Sequence, residues 1–326
     1  MRVLLVKTSS LGDVVHNLPV ATDIVRHLPG AVVDWIVEEP FAGIPRLHAG
    51  VRRVIPVAVR RWRGSLGRRS AWSEMGEFRR HLRAEAYDAV IDTQGLLKSA
   101  LVARQARLVP DGRRYGYGRA VAREGLAACL YHRGYDIPRS LHAVERNRRL
   151  AAAALGYAVD EPCDYGIQAV PLRAGWLDTA TGGRPYAVLL TATSRAAKEW
   201  PEEHWRELMG LLYGLGWRAV LPAGSAAERA SAARLAASSP AGIAAPSLDI
   251  ATLAGLMAGA CAVIGVDTGL VHLAAALDRP TVALFRASDP ALTGVHAGPA
   301  AVNLGAPGRP PVPREVFEAV VGVVGV

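Results

Sequence analysis

Asp13 lies where an acidic side chain could carry out acid–base chemistry. It follows the apolar run 3–6, which predicts a buried parallel strand, and precedes apolar residues at helical spacing between positions 14 and 18. Residues 7–12 are therefore predicted to form the turn between a strand and a helix. Ligands of open α/β sheets bind at the carboxyl ends of strands, where helix N-termini attract anions. Asp13 is thus a candidate catalytic base, a candidate helix N-cap, or both.

The segment 265–272, Gly-Val-Asp-Thr-Gly-Leu-Val-His, joins a second apolar strand to an apolar helix. Its glycines permit tight backbone geometry, and the N–H groups after Thr268 are expected to point toward a diphosphate. Asp267 would repel such an anion, so we expect it to accept hydrogen bonds from sugar hydroxyls or to cap the helix. His272 could donate to a phosphate, and the alternative is a packed histidine.

A third candidate, residues 191–201, also follows a predicted strand. It combines the hydroxyls of Thr193 and Ser194 with the cations of Arg195 and Lys198, a mixture that holds phosphate oxygens. This combination of residues alone is a weak indication of a phosphate site, because lysines and arginines in loops are usually exposed to solvent without a ligand.

Glu228 follows a turn after another strand and could accept hydrogen bonds from a ribose; the alternative is a surface helix carboxylate.

Several motifs are missing from the sequence. No GxGxxG follows the first strand and no GxxxxGK[ST] occurs, which argues against a nicotinamide enzyme and a P-loop ATPase. Since Asp-x-Asp and HExxH are also absent, we predict neither a metal site nor a cofactor. Helix termini and basic side chains would have to neutralise a diphosphate.

The elements that position these residues alternate as strand and helix, which predicts mostly parallel sheets. Strands are expected at 3–6, 32–37, 54–59, 88–92, 186–191, 217–222, near 243, and at 262–265 and 281–285. Residues 60–69 are predicted as a basic loop and 112–118 as turns. Helices are expected at 121–131, 141–155, 202–215, 226–236 and 314–323, and from about 250 and 270.

Length and charge limit the possible classes. The 326 residues are too many for one ordinary core, which predicts two domains. The net charge is +9, and no acidic residue occurs between Phe41 and Ser73 although arginines are frequent there, so an anionic partner is expected.

The longest uncharged stretch, 250–266, is too short to span a bilayer, and no targeting signal is evident. We therefore expect a cytoplasmic protein. The three cysteines form no CxxC, so neither disulfides nor a zinc site is suggested.

Taken together, these motifs resemble the lipopolysaccharide heptosyltransferase family, inverting glycosyltransferases of the GT-B fold. The matching segments are 6–16, 37–39, 54–63, 198–205 and 266–272. The Arg-Arg-Trp-Arg element at 60–63 resembles the branch that adds the first heptose.

The resemblance implies an α/β chain with two Rossmann-like domains, whose mostly parallel sheets face each other across a cleft. Residues 1–165 would bind the acceptor, Kdo2-lipid A, and residues 185–312 the donor, ADP-heptose. Residues 166–184 would link them, and a C-terminal helix at 313–326 could pack back across the hinge. The reaction would transfer L-glycero-D-manno-heptose to the inner Kdo by single displacement, without a metal.

The resemblance also implies roles for individual residues. Asp13 would be the general base, and Lys198 would stabilise the departing ADP. The implied donor-binding residues are Gly12, Thr193, Ser194, Lys198, Glu228, Asp267, Thr268, Gly269 and His272. The implied acceptor-binding residues are Ser10, Arg60, Arg61 and Arg63. The chain departs from the family at 285–290, Phe-Arg-Ala-Ser-Asp-Pro, where members commonly carry a Tyr-Gly-Pro-Thr-like turn before Asp-Pro.

The implied partners are ADP-heptose, Kdo2-lipid A and the anionic cytoplasmic face of the inner membrane, to which a monomeric enzyme would be held peripherally by charge. Binding of nucleic acid is not expected, because no RNP, KH or zinc pattern accompanies the basic charge. A second heptosyltransferase and a nucleotide-sugar epimerase of the same fold remain alternatives. An epimerase would need no basic acceptor loop and would act on the donor alone.

Overall fold

The computed structural model describes residues 1–65, 67–193, 195–296 and 298–325. The chain divides into two compact units, Met1–Ile167 and Gln168–Val326. Residues 168–184, most of the predicted linker, belong to the second unit and contain a helix. Among the described residues, every helix is too short or too polar to cross a lipid bilayer.

The first unit is built on a parallel sheet. Within its described residues the sheet has six strands in the order β3-β2-β1-β4-β5-β6. Its strands are β1 (Arg2–Val6), β2 (Val32–Glu38), β3 (Val51–Val57), β4 (Ala86–Asp92), β5 (Arg107–Tyr117) and β6 (Arg133–Tyr135). Its helices are α1 (Leu11–Val15), α2 (Leu18–His27), α3 (Val59–Arg63), α4 (Arg69–Arg83), α5 (Leu97–Arg104) and α6 (Ala143–Leu155).

One side of this sheet is covered by helices whose apolar residues recur at helical spacing. Phe78 and Leu82 of α4 and Val102 of α5 pack with Leu4 and Val6 of β1 in one buried cluster. Alternate residues of a strand point to opposite faces, so Leu4 and Val6 share the face that α4 and α5 cover. Burial of these side chains fixes the register of β1 and hence the position of the loop that follows it.

The second unit repeats the design. Its sheet, within the described residues, has six parallel strands in the order β12-β11-β10-β7-β8-β9. Its strands are β7 (Tyr186–Leu190), β8 (Arg218–Leu221), β9 (Gly242–Ala244), β10 (Ala262–Val266), β11 (Thr281–Leu284) and β12 (Ala301–Leu304). Its helices are α7 (Gly175–Thr181), α8 (Glu202–Gly214), α9 (Ala226–Ala237), α10 (Ile250–Ala258), α11 (Gly269–Ala276), α12 (Pro290–Thr293) and α13 (Pro313–Val324).

The last helix, α13, belongs to the core of the second unit. Its Val316 and Val320 are fully buried in a cluster with Trp205, Leu208 and Leu212 of α8. The idea that α13 also reaches back across the hinge concerns the arrangement of the two units and stays a prediction.

Both sheets have the strand order of the Rossmann fold, in which the direction of chain progression reverses beside the first strand. The predicted α/β class with two Rossmann-like parallel sheets is therefore confirmed. The reversal lies between β1 and β4 in one unit and between β7 and β10 in the other. Ligands of such sheets bind at this position, beyond the carboxyl ends of the strands.

Three local predictions were wrong. Residues 112–118 were expected as turns, but β5 runs through them to Tyr117. Residues 121–131 were expected as an α-helix, but only the short 3₁₀ segment Gly125–Leu130 forms there. The arginines at 60–63 were placed in a loop, but they lie on α3.

Candidate active site

The loop after β1 and the start of α1 bring Ser10, Gly12 and Asp13 to the reversal point of the first sheet. A side chain from the neighbouring strand end holds this loop in place. The amide oxygen of Gln94, after β4, accepts hydrogen bonds from the backbone N–H groups of Thr8 at 3.1 Å and Ser9 at 3.2 Å. The loop is thereby anchored before α1 begins.

Asp13 is the third residue of α1, and Ser10 is its N-cap. The interpretation of Asp13 as the N-cap was therefore wrong. Its carboxylate instead accepts the backbone N–H of Ser10 at 3.0 Å and the Ser10 hydroxyl at 3.2 Å, both on Oδ2. Because Asp13 lies on a helix and its Oδ2 accepts both hydrogen bonds, the orientation of its carboxylate is fixed. The guanidinium of Arg123 lies 3.4 Å from the other oxygen, Oδ1.

Charges around Asp13 keep it ionised. Burial alone would raise the pKa of Asp13, but Lys7, Arg123 and the hydrogen bonds from Ser10 outweigh burial and hold the pKa below its ordinary value. Lys7 is almost fully buried, and its ammonium donates to the Thr93 carbonyl at 2.8 Å. Burial lowers the pKa of Lys7 to about 8, although Asp13 opposes that change. Near neutral pH the site thus holds a carboxylate beside two cations.

The arginines Arg60, Arg61 and Arg63 all lie on α3 and are largely exposed. Arg61 is already paired, at 3.0 Å with Glu39 and 2.5 Å with Glu74. The guanidinium of Arg60 lies over the Phe41 ring, 6.0 Å from its centre. The sequence brings these cations to the same edge of the sheet as Ser10, because α3 follows β3 directly.

In the second unit, the predicted residues meet where β7 and β10 end. Thr268 is the N-cap of α11, so Asp267 does not cap that helix. The hydroxyl of Thr193, after β7, donates to the Asp267 carbonyl at 3.3 Å. Gly269 begins α11, and His272 is buried in its first turn. The free N–H groups at the start of α11 and these side chains share one strand edge, as expected for an anion site.

Lys198 and Asp267 form an ion pair, with 2.5 Å between Nζ and Oδ2. The Ser288 hydroxyl donates to the same carboxylate oxygen. Ser288 belongs to the turn that departs from the family pattern, where it occupies the threonine position and supplies a hydroxyl. Arg286 of this turn donates to the Glu199 carbonyl. The divergent turn therefore still contributes to the cluster, through Ser288.

Glu228 caps a helix. Its carboxylate accepts the backbone N–H groups of Gly224 at 3.0 Å and Ser225 at 2.8 Å, and the Ser225 hydroxyl accepts the Glu228 N–H at 3.2 Å. This reciprocal pair is a capping box at the start of α9, after β8. The predicted contact between Glu228 and the ribose of a nucleotide stays a prediction.

Ser194, also predicted as a donor contact, lies outside the described residues. Across the part of the chain that the structure describes, no three His, Cys, Asp or Glu side chains are grouped so as to hold a metal ion.

Comparison with known proteins identifies the family. The model of glycosyltransferase family 9, described as heptosyltransferase, matches residues 75–315. The chain belongs to glycosyltransferase family 9. Lipopolysaccharide heptosyltransferase 1 of Pseudomonas aeruginosa is 48% identical over 306 residues, which cover 94% of this chain and 84% of that protein.

Solved structures agree with this family 9 assignment. E. coli heptosyltransferase WaaC with ADP superposes with a TM-score of 0.90 at 44% identity, over 99% of this chain and 100% of that chain. WaaC with ADP-2-deoxy-2-fluoro heptose gives a TM-score of 0.85 at 43% identity, over 100% and 99% of the two chains. The predicted GT-B fold and the resemblance to the heptosyltransferases are confirmed, and the enzyme is a glycosyltransferase.

Two residues beside Asp13 in this family 9 enzyme were not assigned a role from the sequence. Lys7 could have been noticed, because a lysine directly after an apolar strand is carried to the edge where ligands bind. Arg123 gave no such signal, since it lies 110 residues from Asp13 in a segment that was predicted to be helical. Only the folded chain brings it there.

The buried Lys7 predicts a pH dependence of stability. The pKa of Lys7 is about 8 in the folded enzyme and ordinarily 10.5, so between these values the unfolded state binds more protons and stability rises with pH. Below pH 8 both states are protonated and the contribution is constant. We expect the free energy of unfolding of the parent, relative to Lys7→Met, to increase by about 2 kcal/mol from about pH 7 to about pH 10. Urea unfolding of both proteins measures this; parallel pH profiles would contradict it.

The capping box predicts that Glu228 contributes to stability, an effect that can be measured separately from nucleotide binding. Glu228→Ala leaves two N–H groups at the start of α9 without their acceptor, so we expect the free energy of unfolding to fall by about 1 kcal/mol. Glu228→Gln retains an acceptor oxygen and serves as the matched control, with a smaller loss. If Glu228→Gln unfolds like the parent but binds ADP more weakly in calorimetry, the residue also contacts the nucleotide. Equal stability of the alanine variant and the parent would refute the capping role.

Proposed function

We propose that this enzyme transfers L-glycero-D-manno-heptose from ADP-heptose to the inner Kdo of Kdo2-lipid A, the first heptose of the lipopolysaccharide inner core. The donor is suggested by WaaC, which is 43% identical and whose solved structure holds ADP-2-deoxy-2-fluoro heptose. The observation that supports the proposal best is the ionised Asp13, held by Ser10 at the reversal point of the first sheet. A fixed carboxylate at this position suits proton abstraction from a sugar hydroxyl.

The proposed reaction is a single displacement. An acceptor hydroxyl forms a bond to the anomeric carbon while the bond from that carbon to the ADP oxygen breaks, which inverts the configuration. The hydroxyl proton passes to the carboxylate of Asp13. Asp13 is a weak base at rest because its pKa is low. It suffices nonetheless, because the hydroxyl becomes much more acidic as the new carbon–oxygen bond forms.

The departing ADP carries away negative charge, and the second unit offers groups to stabilise it. Lys198 has three N–H donors, so it can hold Asp267 and a phosphate oxygen at the same time. The N–H groups of Gly269 and Leu270, at the start of α11, supply further donors. In this proposal Gly12, Thr193, Ser194 and His272 complete the donor contacts, and no metal takes part.

The acceptor is anionic, and the basic helix α3 is proposed to bind its carboxylate or phosphates together with Ser10. Arg60 and Arg63 are better suited than Arg61, whose charge is already balanced by Glu39 and Glu74. Because the proposed acceptor is a lipid of the inner membrane, we place the enzyme in the cytoplasm, peripherally bound to that membrane.

Release of ADP tests the proposal. Purified enzyme is incubated with ADP-heptose, with and without Kdo2-lipid A, and ADP is measured. We expect ADP only when both substrates are present. Conversion of ADP-heptose without acceptor would favour an epimerase, and ADP release only with an acceptor that already carries one heptose would favour a second heptosyltransferase.

A further inference from the structure

An apolar groove of about 310 Å³ lies between α3, α4 and α5 of the first unit. Its apolar lining comprises Val59, Trp62, Met75, Phe78, Leu101 and Val102. Leu101 is 49% exposed, and Leu97, one helical turn earlier on α5, is 37% exposed. The 3₁₀ segment Gly125–Leu130 packs against α5 and exposes 62% of Leu126. An apolar groove with exposed leucines on the same elements is typical of a site of interaction with protein or membrane.

The surroundings of the groove are strongly basic. Helices α3, α4 and α5 together carry nine arginines and lysines but only two glutamates. One of these glutamates, Glu74, is paired with Arg61 and accepts the indole N–H of Trp62 at 3.0 Å. Arg63 and Lys98 line the groove itself. Long basic side chains can cover apolar surface with their aliphatic stems while their charged ends reach anionic groups.

We propose that the groove and the leucines beside it dock onto the hydrocarbon region of an anionic phospholipid bilayer, while the surrounding cations bind lipid headgroups. The inference rests on the proposed function, in which the acceptor is a membrane lipid. An amphipathic surface that combines leucine and tryptophan with lysine and arginine is the composition that binds anionic membrane interfaces.

Lys98 connects this surface to the candidate active site. Lys98 lines the groove, and its ammonium donates to the Ser9 hydroxyl at 3.3 Å. Ser9 immediately precedes Ser10, which holds Asp13. A bilayer bound at the groove therefore lies close to the start of α1, the helix that carries the proposed general base Asp13. The headgroup region of the membrane is then where the acceptor sugar is needed.

Charge disfavours the other occupants of the groove. In a symmetric dimer formed through this face, each copy would present the same basic helices to the other, and like charges would repel. The centres of protein–protein interfaces are depleted in lysine, whereas Lys98 is part of the lining of this groove. An anionic bilayer satisfies both the cations and the apolar side chains.

Vesicle binding tests the proposal. The full-length parent and the double variant Leu97→Gln, Leu101→Gln are sedimented with vesicles of phosphatidylethanolamine and phosphatidylglycerol at low and high salt. Glutamine forms helices about as well as leucine, so α5 is expected to persist. The loss of two half-exposed leucines is expected to weaken binding about tenfold or more at both salt concentrations. The matched control is Val25→Gln, because Val25 is 41% exposed on α2, outside the groove.

Release of ADP with an acceptor stripped of its acyl chains separates docking from catalysis. The double variant is expected to match the parent with this water-soluble acceptor. Equal vesicle binding by the parent and both variants would overturn the proposal. So would a double variant that is inactive with the water-soluble acceptor. A parent that is dimeric in solution, with a double variant that is monomeric, would also overturn it. If the parent releases no ADP with any acceptor, the proposed function fails, whereas the vesicle comparison still decides whether this surface binds membranes.

Discussion

Replacement of Asp13 by asparagine is expected to lower kcat by about 10²- to 10⁴-fold, the usual contribution of a positioned general base. The amide is nearly isosteric with the carboxylate, and its oxygen can still accept the backbone N–H of Ser10, which lies 3.0 Å from the carboxylate in the parent. The variant should therefore fold with α1 intact but lack the group that takes the proton. Steady-state ADP release measures the change, and calorimetry with ADP-heptose checks that the donor still binds.

The control for this substitution is Ser10→Ala, which removes the hydroxyl bond to Asp13 but keeps the carboxylate and the backbone N–H bond. Because Ser10 is also a proposed acceptor contact, the alanine variant is expected to affect KM more than kcat. If Asp13→Asn turns over within about tenfold of the parent while it still binds ADP-heptose, the assignment of Asp13 as the base is wrong.

The low pKa of Asp13 also predicts how kcat depends on pH. Lys7, Arg123 and Ser10 hold this pKa below its ordinary value against the effect of burial, so the carboxylate is ionised throughout the mildly acidic range. The parent's kcat is accordingly expected to show no loss from protonation of Asp13 between about pH 5 and pH 7. In Lys7→Met one of the two cations is absent, so the pKa of Asp13 rises and the acid limb should move to higher pH.

Local sequence pattern was enough to predict most of the fold. Apolar runs such as 262–265 are visible without any tertiary information, and their alternation with helical patterns predicted two parallel sheets. Strand β5 was missed because its glycines resemble turn residues. In the structure a Cβ at Gly112 would come within 2.5 Å of the Tyr87 carbonyl, and one at Gly116 would collide with the ring of Tyr131. These glycines are required by close neighbours, which a single sequence does not reveal.

The candidate site likewise has residues that the sequence could predict and contacts that it could not. Residues that follow a strand, such as Asp13, Thr193 and Asp267, could be predicted because the carboxyl edge of a parallel sheet is where ligands bind. The capping box of Glu228 is also visible in the sequence, as the pattern Ser-x-x-Glu at 225–228. The pairing of Asp13 with Arg123 and of Lys198 with Asp267 could not be predicted, because it depends on which strands become neighbours.

Replacement of Lys198 by methionine is expected to lower kcat/KM by about 10²- to 10³-fold, the usual effect of removing one preorganised donor to a developing negative charge. Methionine retains the apolar stem but leaves the carboxylate of Asp267, a residue only 8% exposed, without its ion-pair partner. An uncompensated negative charge would then face the donor diphosphate. The loss is therefore expected in both kcat and KM, measured as ADP release over a range of ADP-heptose concentrations.

Two roles of Lys198 can produce this loss, and Asp267→Asn separates them. If Lys198 only neutralises Asp267, the double variant Lys198→Met, Asp267→Asn should recover most of the parent activity, since no unpaired charge remains. If Lys198 also stabilises the departing ADP, kcat should stay low in the double variant while KM improves. The asparagine can still accept the Ser288 hydroxyl bond, so the turn after β11 should keep its place. We expect the second outcome, because the ammonium retains N–H donors beyond the one that Asp267 accepts. Full recovery in the double variant would remove Lys198 from the chemistry and leave the helix start at Gly269 as the main stabiliser of the leaving group.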